Sequence, residues 1–274
     1  MKRALLLFVC LLLILLPSCS RKPNNDNIQT DVTELSPAFQ PILQSDAQYI
    51  KPETDAQIVP EPQFTEPCDN DAVFVEQPPL LTECVLNSGL TFDDIDSTQL
   101  VLVVSDDTSA QLYCYECSDA QWSLVRELSY LPAFVGRNGV SDHHLEGDGT
   151  TPVGLFDLGF AFGNSPDPGT VLPYREITDD DYWVSDPESE YYNTWVSDTD
   201  GFDTGKSEHL ADYKNSYAYS VVISYNLPDV IPYAGSAIFL HCGEAPTAGC
   251  VAVSESDMIN ILKWLEPGAK ILIL

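Results

Sequence analysis

A histidine and a cysteine near the C-terminus have the types and spacing of a nucleophile and its base. Residues 241 to 255 read HCGEAPTAGCVAVSE, with His241 and Cys250 on either side of a short loop. A cysteine attacks a carbonyl as the thiolate, so it needs a base and an open approach. Gly249 has no Cβ, which lets a substrate come close and leaves backbone N–H groups to bind an oxyanion. This pattern predicts a thiol nucleophile activated by a histidine.

Two structural alternatives account for the same residues. Cys250 can be a small buried hydrophobic residue, with His241 hydrogen-bonded at the end of a strand. Cys242 and Cys250 can also form a disulfide, because both lie on the same loop. Neighbouring strand residues point to opposite faces, so if His241 faces the site, Cys242 faces away from it.

The elements that must position these residues are mainly strands. Hydrophobic runs predict strands at residues 100–104, 110–115, 122–128, 219–225, 236–241 and 270–274. One helix is predicted after the cysteine, with Ser254 as its N-cap, Met258 and Ile261 on one face, and Pro267-Gly268 at its end. The fold class is therefore mainly β, with one helix behind Cys250.

A long acidic and aromatic segment interrupts the strands between residues 163 and 215. It is too long for an ordinary connection, and long insertions beside a rigid sheet are often functional. The stretch Asp198-Thr199-Asp200-Gly201 resembles the start of a calcium loop but lacks the remaining ligands. A solvated acidic loop is the favoured interpretation.

The N-terminus predicts export and a lipid anchor. Lys2 and Arg3 precede an apolar run that is too short to span a bilayer, as in a signal peptide. The following Leu16-Pro17-Ser18-Cys19 resembles the lipobox of bacterial lipoproteins, which implies cleavage after residue 18 and lipidation of Cys19. A plain secretory signal is the alternative. Residues 19–87 are rich in proline and polar side chains and are predicted to be a disordered tether, with the folded domain at 88–274.

Charge and cysteine usage limit the partners. The 274 residues carry 12 basic and 42 acidic side chains, a net charge of −30, which repels the phosphates of nucleic acids. In an oxidising compartment Cys68 and Cys84 can close a short disulfide loop. Cys114 and Cys117 form a single CxxC pair, which is interpreted as a bridge or an inert pair because zinc requires more ligands.

Two motifs in the expected order resemble the YkuD-type L,D-transpeptidase domain. They are TPVGLF at 151–156 and TAGCVAV at 247–253, and the longer segments 135–163 and 235–273 resemble a branch of that family with the motif P-T-A-G-C-V-A. The resemblance implies a YkuD-like domain, a β-sandwich or mixed sheet, in which His241, Thr247, Gly249 and Cys250 match the family signature. Ala248 stands where the family has a second histidine.

The resemblance also implies the reaction and its partners. Cys250 would attack a peptidoglycan stem peptide, and an amine acceptor would then form a 3-3 cross-link, without a cofactor or a metal. Thr247 is a predicted substrate-binding residue. Arg137 and Asn138, beside the motifs in a chain with 12 basic residues, are predicted to bind a stem carboxylate, with a structural turn role as the alternative. Two alternatives remain open: an L,D-carboxypeptidase or amidase that uses water, and a wall-binding module that has lost catalysis. His143, His144, Glu146 and Asp148 could suggest a metal, which a glycine-rich loop without a second ligand cluster does not favour. An extracytoplasmic protein of cell wall biogenesis is expected.

Overall fold

The computed structural model describes residues 77–198 and 200–274. Two α-helices, α1 and α2, and three 3-10 helices lie in these ranges: Pro79–Asn87, Glu255–Trp264, Phe92–Ile95, Thr204–Lys206 and Leu210–Asp212. The strands β1 to β14 are, in chain order, Gln99–Asp106, Ser109–Ser118, Gln121–Phe134, Val140–Ser141, Thr151–Pro152, Gly154–Gly163, Tyr174–Glu176, Tyr182–Val184, Trp195–Val196, Ser207–His209, Ser220–Ile223, Phe239–Cys242, Val251–Val253 and Lys270–Ile273. None of the helices in the described ranges has the length and hydrophobicity needed to cross a bilayer. The predicted signal peptide, Cys19, Cys68 and residues 19–76 of the tether lie outside the described residues.

Nine strands form one mixed sheet that closes on itself. The strand order is β11-β12-β13-β3-β2-β1-β14-β6-β7, and β6 also pairs with β11 at the other end. Most pairs are antiparallel, but β1 with β14, β12 with β13 and β6 with β7 are parallel. The prediction of a mainly β fold with a mixed sheet is confirmed. Closure removes most of the exposed edges and gives the sheet an interior that aliphatic side chains can fill.

The helix behind the cysteine forms as predicted. Ser254 caps α2, its hydroxyl accepting a hydrogen bond from the N–H of Asp257 at 3.2 Å. Met258, Ile261 and Leu262 are fully buried against the sheet. This apolar face anchors the segment that follows β13, so the chain around Cys250 is held from both ends.

The predicted end of the tether at residue 87 is wrong, because residues 79–87 form α1. Proline does not disrupt this helix, since Pro79 occupies its first turn, where the backbone N–H would have no partner in any case. Leu81 and Val85 are fully buried in a hydrophobic cluster with Leu100 and Leu102 of β1. The folded unit therefore starts before residue 88.

The acidic insertion is also folded, so its interpretation as a solvated loop is wrong for much of its length. It contributes a three-stranded sheet in the order β10-β8-β9. Trp183 is 3% exposed and its ring meets the edge of Phe239 at a centroid distance of 4.9 Å, while Trp195 lies 5.4 Å from Phe162. Its aromatic side chains pack on the main sheet and its carboxylates mostly face outward, which explains a composition that is both aromatic and acidic.

Candidate active site

An open cavity of about 630 Å³ lies where β12 ends and the loop to β13 begins. Four segments line it. The first is the strand and loop of residues 236–238 and 241–250, the second lies at 205–208, the third within 213–217, and the fourth is the glycine-rich turn around 144–147; Ser185 also lines it. His241 and Cys250 both line this cavity, so the structure brings the two predicted catalytic residues to one place.

The thiol of Cys250 is buried and held by the strand opposite it. Its Sγ donates to the carbonyl oxygen of Ala237 at 3.2 Å and accepts from the N–H of Phe239 at 3.3 Å. Burial raises the pKa of the Cys250 thiol, the charge of Glu208 raises it further, and the Phe239 N–H opposes them. The thiol is therefore protonated at neutral pH and requires a base to become a nucleophile.

His241 has the protonation state of such a base. Its Nδ1 lies 2.8 Å from the carbonyl oxygen of Cys242, and a carbonyl only accepts, so Nδ1 carries the hydrogen. Burial lowers the pKa of His241, with the carbonyl opposing it, so the ring is neutral near pH 7. A neutral imidazole with hydrogen on Nδ1 has an unprotonated Nε2 that can take a proton.

The backbone of Cys250 is fixed by two threonine hydroxyls. Thr247 Oγ1 donates to the Cys250 carbonyl at 2.6 Å, and Thr151 Oγ1 does so at 3.2 Å. Thr247 Oγ1 also accepts from the N–H of Gly249 at 3.1 Å. The backbone N–H groups of Gly249 and Cys250 are the two predicted to bind an oxyanion. The Gly249 N–H is hydrogen-bonded inside the loop, so the Cys250 N–H is the better candidate. Thr247 lines the cavity, but its hydroxyl forms hydrogen bonds within the loop and stabilises the loop conformation.

Arg137 and Asn138 lie beside the loop with exposed side chains. The Arg137 N–H donates to the Thr247 carbonyl at 2.8 Å, so the backbone of this segment supports the loop. Asn138 Nδ2 donates to the Asp148 carbonyl at 2.6 Å. Neither residue is among the described residues that line the cavity. Their role in binding substrate stays a prediction, and the structural contacts favour a supporting role for Asn138.

The cysteine alternatives are resolved for the described residues. Cys242 and Cys250 are both free, and Cys242 Sγ donates to the Tyr219 carbonyl at 3.4 Å, away from Cys250. The disulfide alternative for this pair is therefore wrong, and the predicted alternation of His241 and Cys242 agrees with these contacts. Cys114 and Cys117 are also free, which fits the inert pair. The Cys68–Cys84 bridge stays a prediction, since one partner lies outside the described residues.

A carboxylate and a phenol that no sequence motif predicts lie beside the candidate nucleophile. The ring centroids of Tyr217 and His241 are 5.5 Å apart in an edge-to-face arrangement, and the Tyr217 hydroxyl donates to Glu208 Oε1 at 2.6 Å. Burial raises the pKa of Glu208 to about 7, and the Tyr217 hydroxyl opposes this shift. No motif marks these positions, and only the unusual composition of the insertion could have directed attention to them.

Comparison with known proteins agrees with the motifs. The family model described as the YkuD L,D-transpeptidase catalytic domain matches residues 100–273, which confirms the resemblance. No curated protein matches the chain. Two solved structures of the helical cell shape determining protein Pgp2 from Campylobacter jejuni, one of them a K307A mutant, are 16% identical to it. The mutant has a TM-score of 0.35, with 65% of this chain and 47% of that chain covered. The other has a TM-score of 0.33, with 66% and 53% covered, so this chain spans about half the length of both.

Proposed function

This chain belongs to the YkuD family of L,D-transpeptidase catalytic domains, and from that membership we propose that it is a peptidoglycan L,D-transpeptidase with Cys250 as its nucleophile. The observation that carries the proposal is the pairing of a neutral, buried His241 with a protonated Cys250 on one cavity. Each group is in the state that the first step of thiol catalysis needs.

The first half of the reaction follows from these states. His241 Nε2 takes the proton of the Cys250 thiol, and the thiolate attacks the carbonyl of the third residue of a stem peptide. The backbone N–H of Cys250 would stabilise the oxyanion. The scissile C–N bond then breaks, the terminal D-alanine leaves as an amine, and a thioester remains on Cys250.

The acceptor decides the product. An amine from a neighbouring stem gives a 3-3 cross-link, whereas water gives a shortened stem and makes the protein an L,D-carboxypeptidase. The free thiol and its hydrogen bonds argue against a wall-binding module that has lost catalysis. Separation of the products distinguishes the first two outcomes, because cross-linked dimers and shortened tripeptides differ in mass.

The proposal includes a location outside the cytoplasm. The basic residues Lys2 and Arg3, the apolar run behind them and Cys19 support a lipoprotein that is anchored in a bacterial membrane through its N-terminal lipid. Cells that express the protein should incorporate a labelled fatty acid into it, and Cys19→Ser should remove the label. Retention of the label in that variant would contradict the anchor.

The nucleophile is tested by covalent capture. The protein is incubated with a tetrapeptide stem or a carbapenem, and its intact mass is recorded. We expect an adduct on the unmutated protein and none on Cys250→Ala. Cys242→Ala is the matched control, since this thiol is also buried but is turned toward Tyr219. An adduct on Cys250→Ala, or none on the unmutated protein while Cys250 is a free thiol, would overturn the assignment.

A further inference from the structure

Two adjacent histidines in the glycine-rich turn have opposite environments. The side chain of His143 is 92% exposed and lies 3.9 Å from Asp142, whereas that of His144 is 4% exposed and lines the cavity that contains Cys250. Nothing in the reaction described above uses His144. Burial of one imidazole next to a nucleophile, with its neighbour left in solvent, requires an explanation.

His144 is oriented by a carboxylate. Its Nδ1 lies 3.1 Å from Asp148 Oδ1 and 3.0 Å from Thr150 Oγ1. Asp148 also accepts from the N–H groups of Leu145 and Thr150, each at 2.8 Å. Burial acts to raise the pKa of Asp148, but these hydrogen bonds outweigh it and hold that pKa below its usual range. A carboxylate only accepts, so it fixes the hydrogen of His144 on Nδ1, as in other carboxylate and histidine pairs of active sites.

The Cε1 atom of the His144 ring faces Gly249 of the nucleophile loop, and its Nε2 faces Gly235, next to the cavity-lining Ser236. A Cβ at Gly249 would lie 3.7 Å from His144 Cε1, and a Cβ at Gly235 would lie 2.4 Å from His144 Nε2. Both positions are glycine, which is what allows the ring to lie there. Tyr225 contacts the ring edge-on at a centroid distance of 5.3 Å. The imidazole is therefore confined beside the residue that precedes Cys250.

We propose that His144, oriented by Asp148, is a second proton-transfer group of this site and serves the amine that leaves and the acceptor that enters. The proposal rests on the acyl transfer proposed above. Ala248 occupies the position at which the family resemblance places a second histidine. His144 brings an imidazole to the adjacent Gly249 from a turn that lies about a hundred residues earlier in the chain.

The proton balance gives the two histidines separate tasks. His241 Nε2 takes the thiol proton and remains as the cation beside the thiolate. When the sulfur electron pair has formed the C–S bond, the C–N bond breaks and its electrons stay on nitrogen, which takes a proton from Nε2 of protonated His144. In the second half, the acceptor amine or water gives a proton back to that Nε2 as it attacks the thioester. The C–S bond then breaks, its electron pair returns to the Cys250 sulfur, and the thiolate takes back the proton that His241 Nε2 has held, which restores the starting state.

The test compares His144→Asn with His144→Ala and uses His143→Ala as the matched control, all in the full-length chain. Asparagine keeps a donor near the position of Nδ1 for Asp148 but has no group in place of Nε2. We expect turnover of a tetrapeptide stem to fall about 100-fold or more in both His144 variants, the usual contribution of general acid and base catalysis. Added imidazole should restore part of it in His144→Ala, and His143→Ala should be unchanged.

Each other outcome overturns a defined statement. Normal turnover in His144→Asn would show that the side chain only holds Asp148, and loss without rescue by imidazole, together with loss of Cys250 alkylation, would show that the loop has collapsed. Either result contradicts the inference while Cys250→Ala still abolishes the adduct, so the proposed function survives. If the unmutated protein itself forms no adduct, the proposed function fails and the inference fails with it.

Discussion

The two walls of the cavity differ in how they are built. The nucleophile wall, residues 241–250, is a short loop that is shaped by local hydrogen bonds, since Thr247 bonds to Gly249 and Cys250 within the same turn. Arg137 and Thr151 add hydrogen bonds to it from the neighbouring segments. The insertion wall, residues 205–217, reaches the site only because distant aromatic side chains pack on the sheet. A local motif therefore supplies the reactive groups, while long-range packing supplies the surface against which a substrate would be held.

One residue of the insertion links it to the strand segment that holds Cys250. Asn193 of the insertion accepts from the indole N–H of Trp183 at 2.9 Å and from the Ala237 N–H at 3.2 Å. Ala237 in turn accepts the thiol hydrogen of Cys250 through its carbonyl. The insertion is thus fixed to the strand that holds the nucleophile by a continuous series of hydrogen bonds. Substitutions in the insertion and in the nucleophile loop can therefore be compared for their effects on the same site.

The largest effect is expected from Trp183→Ala, in the part of the insertion that packs on the sheet and supports the insertion wall. The buried indole packs on Phe239, and removal of such a ring typically costs about 3–5 kcal/mol of unfolding free energy. Denaturant unfolding measures this cost, and the KM for a stem peptide should rise because the wall loosens. Trp183→Phe is the control, since it keeps an aromatic ring on Phe239 and loses the hydrogen bond to Asn193 and part of the ring area, so its cost should be smaller. A loss of less than about 1 kcal/mol with unchanged KM would show that the insertion does not depend on this packing.

A smaller effect is expected from Thr247→Val in the nucleophile wall. The change removes one of two hydroxyl donors to the Cys250 carbonyl and the acceptor for the Gly249 N–H. Loss of such hydrogen bonds costs about 1 kcal/mol each. We expect kcat to fall about tenfold, the equivalent of about 1.4 kcal/mol, with little change in KM.

Thr247→Ser, which retains the hydroxyl, should stay close to the unmutated rate. A rise in KM with unchanged kcat in Thr247→Val would instead assign Thr247 to substrate binding, as the family resemblance implies. The two variants therefore separate a role in shaping the loop from a role in contacting the stem peptide.

The same division explains what could be predicted from the sequence. The helix after Ser254, the strand ending at His241 and the spacing to Cys250 are local patterns, so periodicity and glycine placement were sufficient to find them. Helix α1 lies in the predicted tether because a proline-rich composition does not exclude a helix: Pro79 lies in the first turn, where proline is tolerated. Proline disrupts the interior of a helix, but it does not disrupt the first turn, and the position of Pro79 in the helix cannot be read from composition alone.

Glu208, Tyr217 and His144 could not be placed at the site from the sequence. They lie far from Cys250 in the chain, and only closure of the sheet and docking of the insertion bring them together. A pair of adjacent histidines predicts nothing about which ring is buried. The sequence therefore predicted a nucleophile and a base that line one cavity, while the groups that set their environment depend on tertiary packing.

The smallest effect concerns the charge that the insertion wall places near the thiol. Burial raises the pKa of Glu208 to about 7 from 4.5, so between these values the folded protein binds more protons than the unfolded chain. Glu208 thereby makes stability fall as pH rises from about 4.5 to 7, with no further loss above that range. Glu208→Gln keeps an oxygen that accepts from Tyr217 and removes the titration.

Urea unfolding at pH 5 and at pH 8 measures this contribution. We expect the stability of Glu208→Gln relative to the unmutated protein to increase between the two values, whereas Glu244→Gln, at an exposed position of the same cavity, should show no such increase. The alkylation of Cys250 at neutral pH should also be faster in Glu208→Gln, because the charge of Glu208 raises the pKa of the thiol. Parallel stabilities at the two pH values would mean that the insertion wall carries no buried charge, and the two walls would then differ in how they are built but not in their electrostatic effect on the nucleophile.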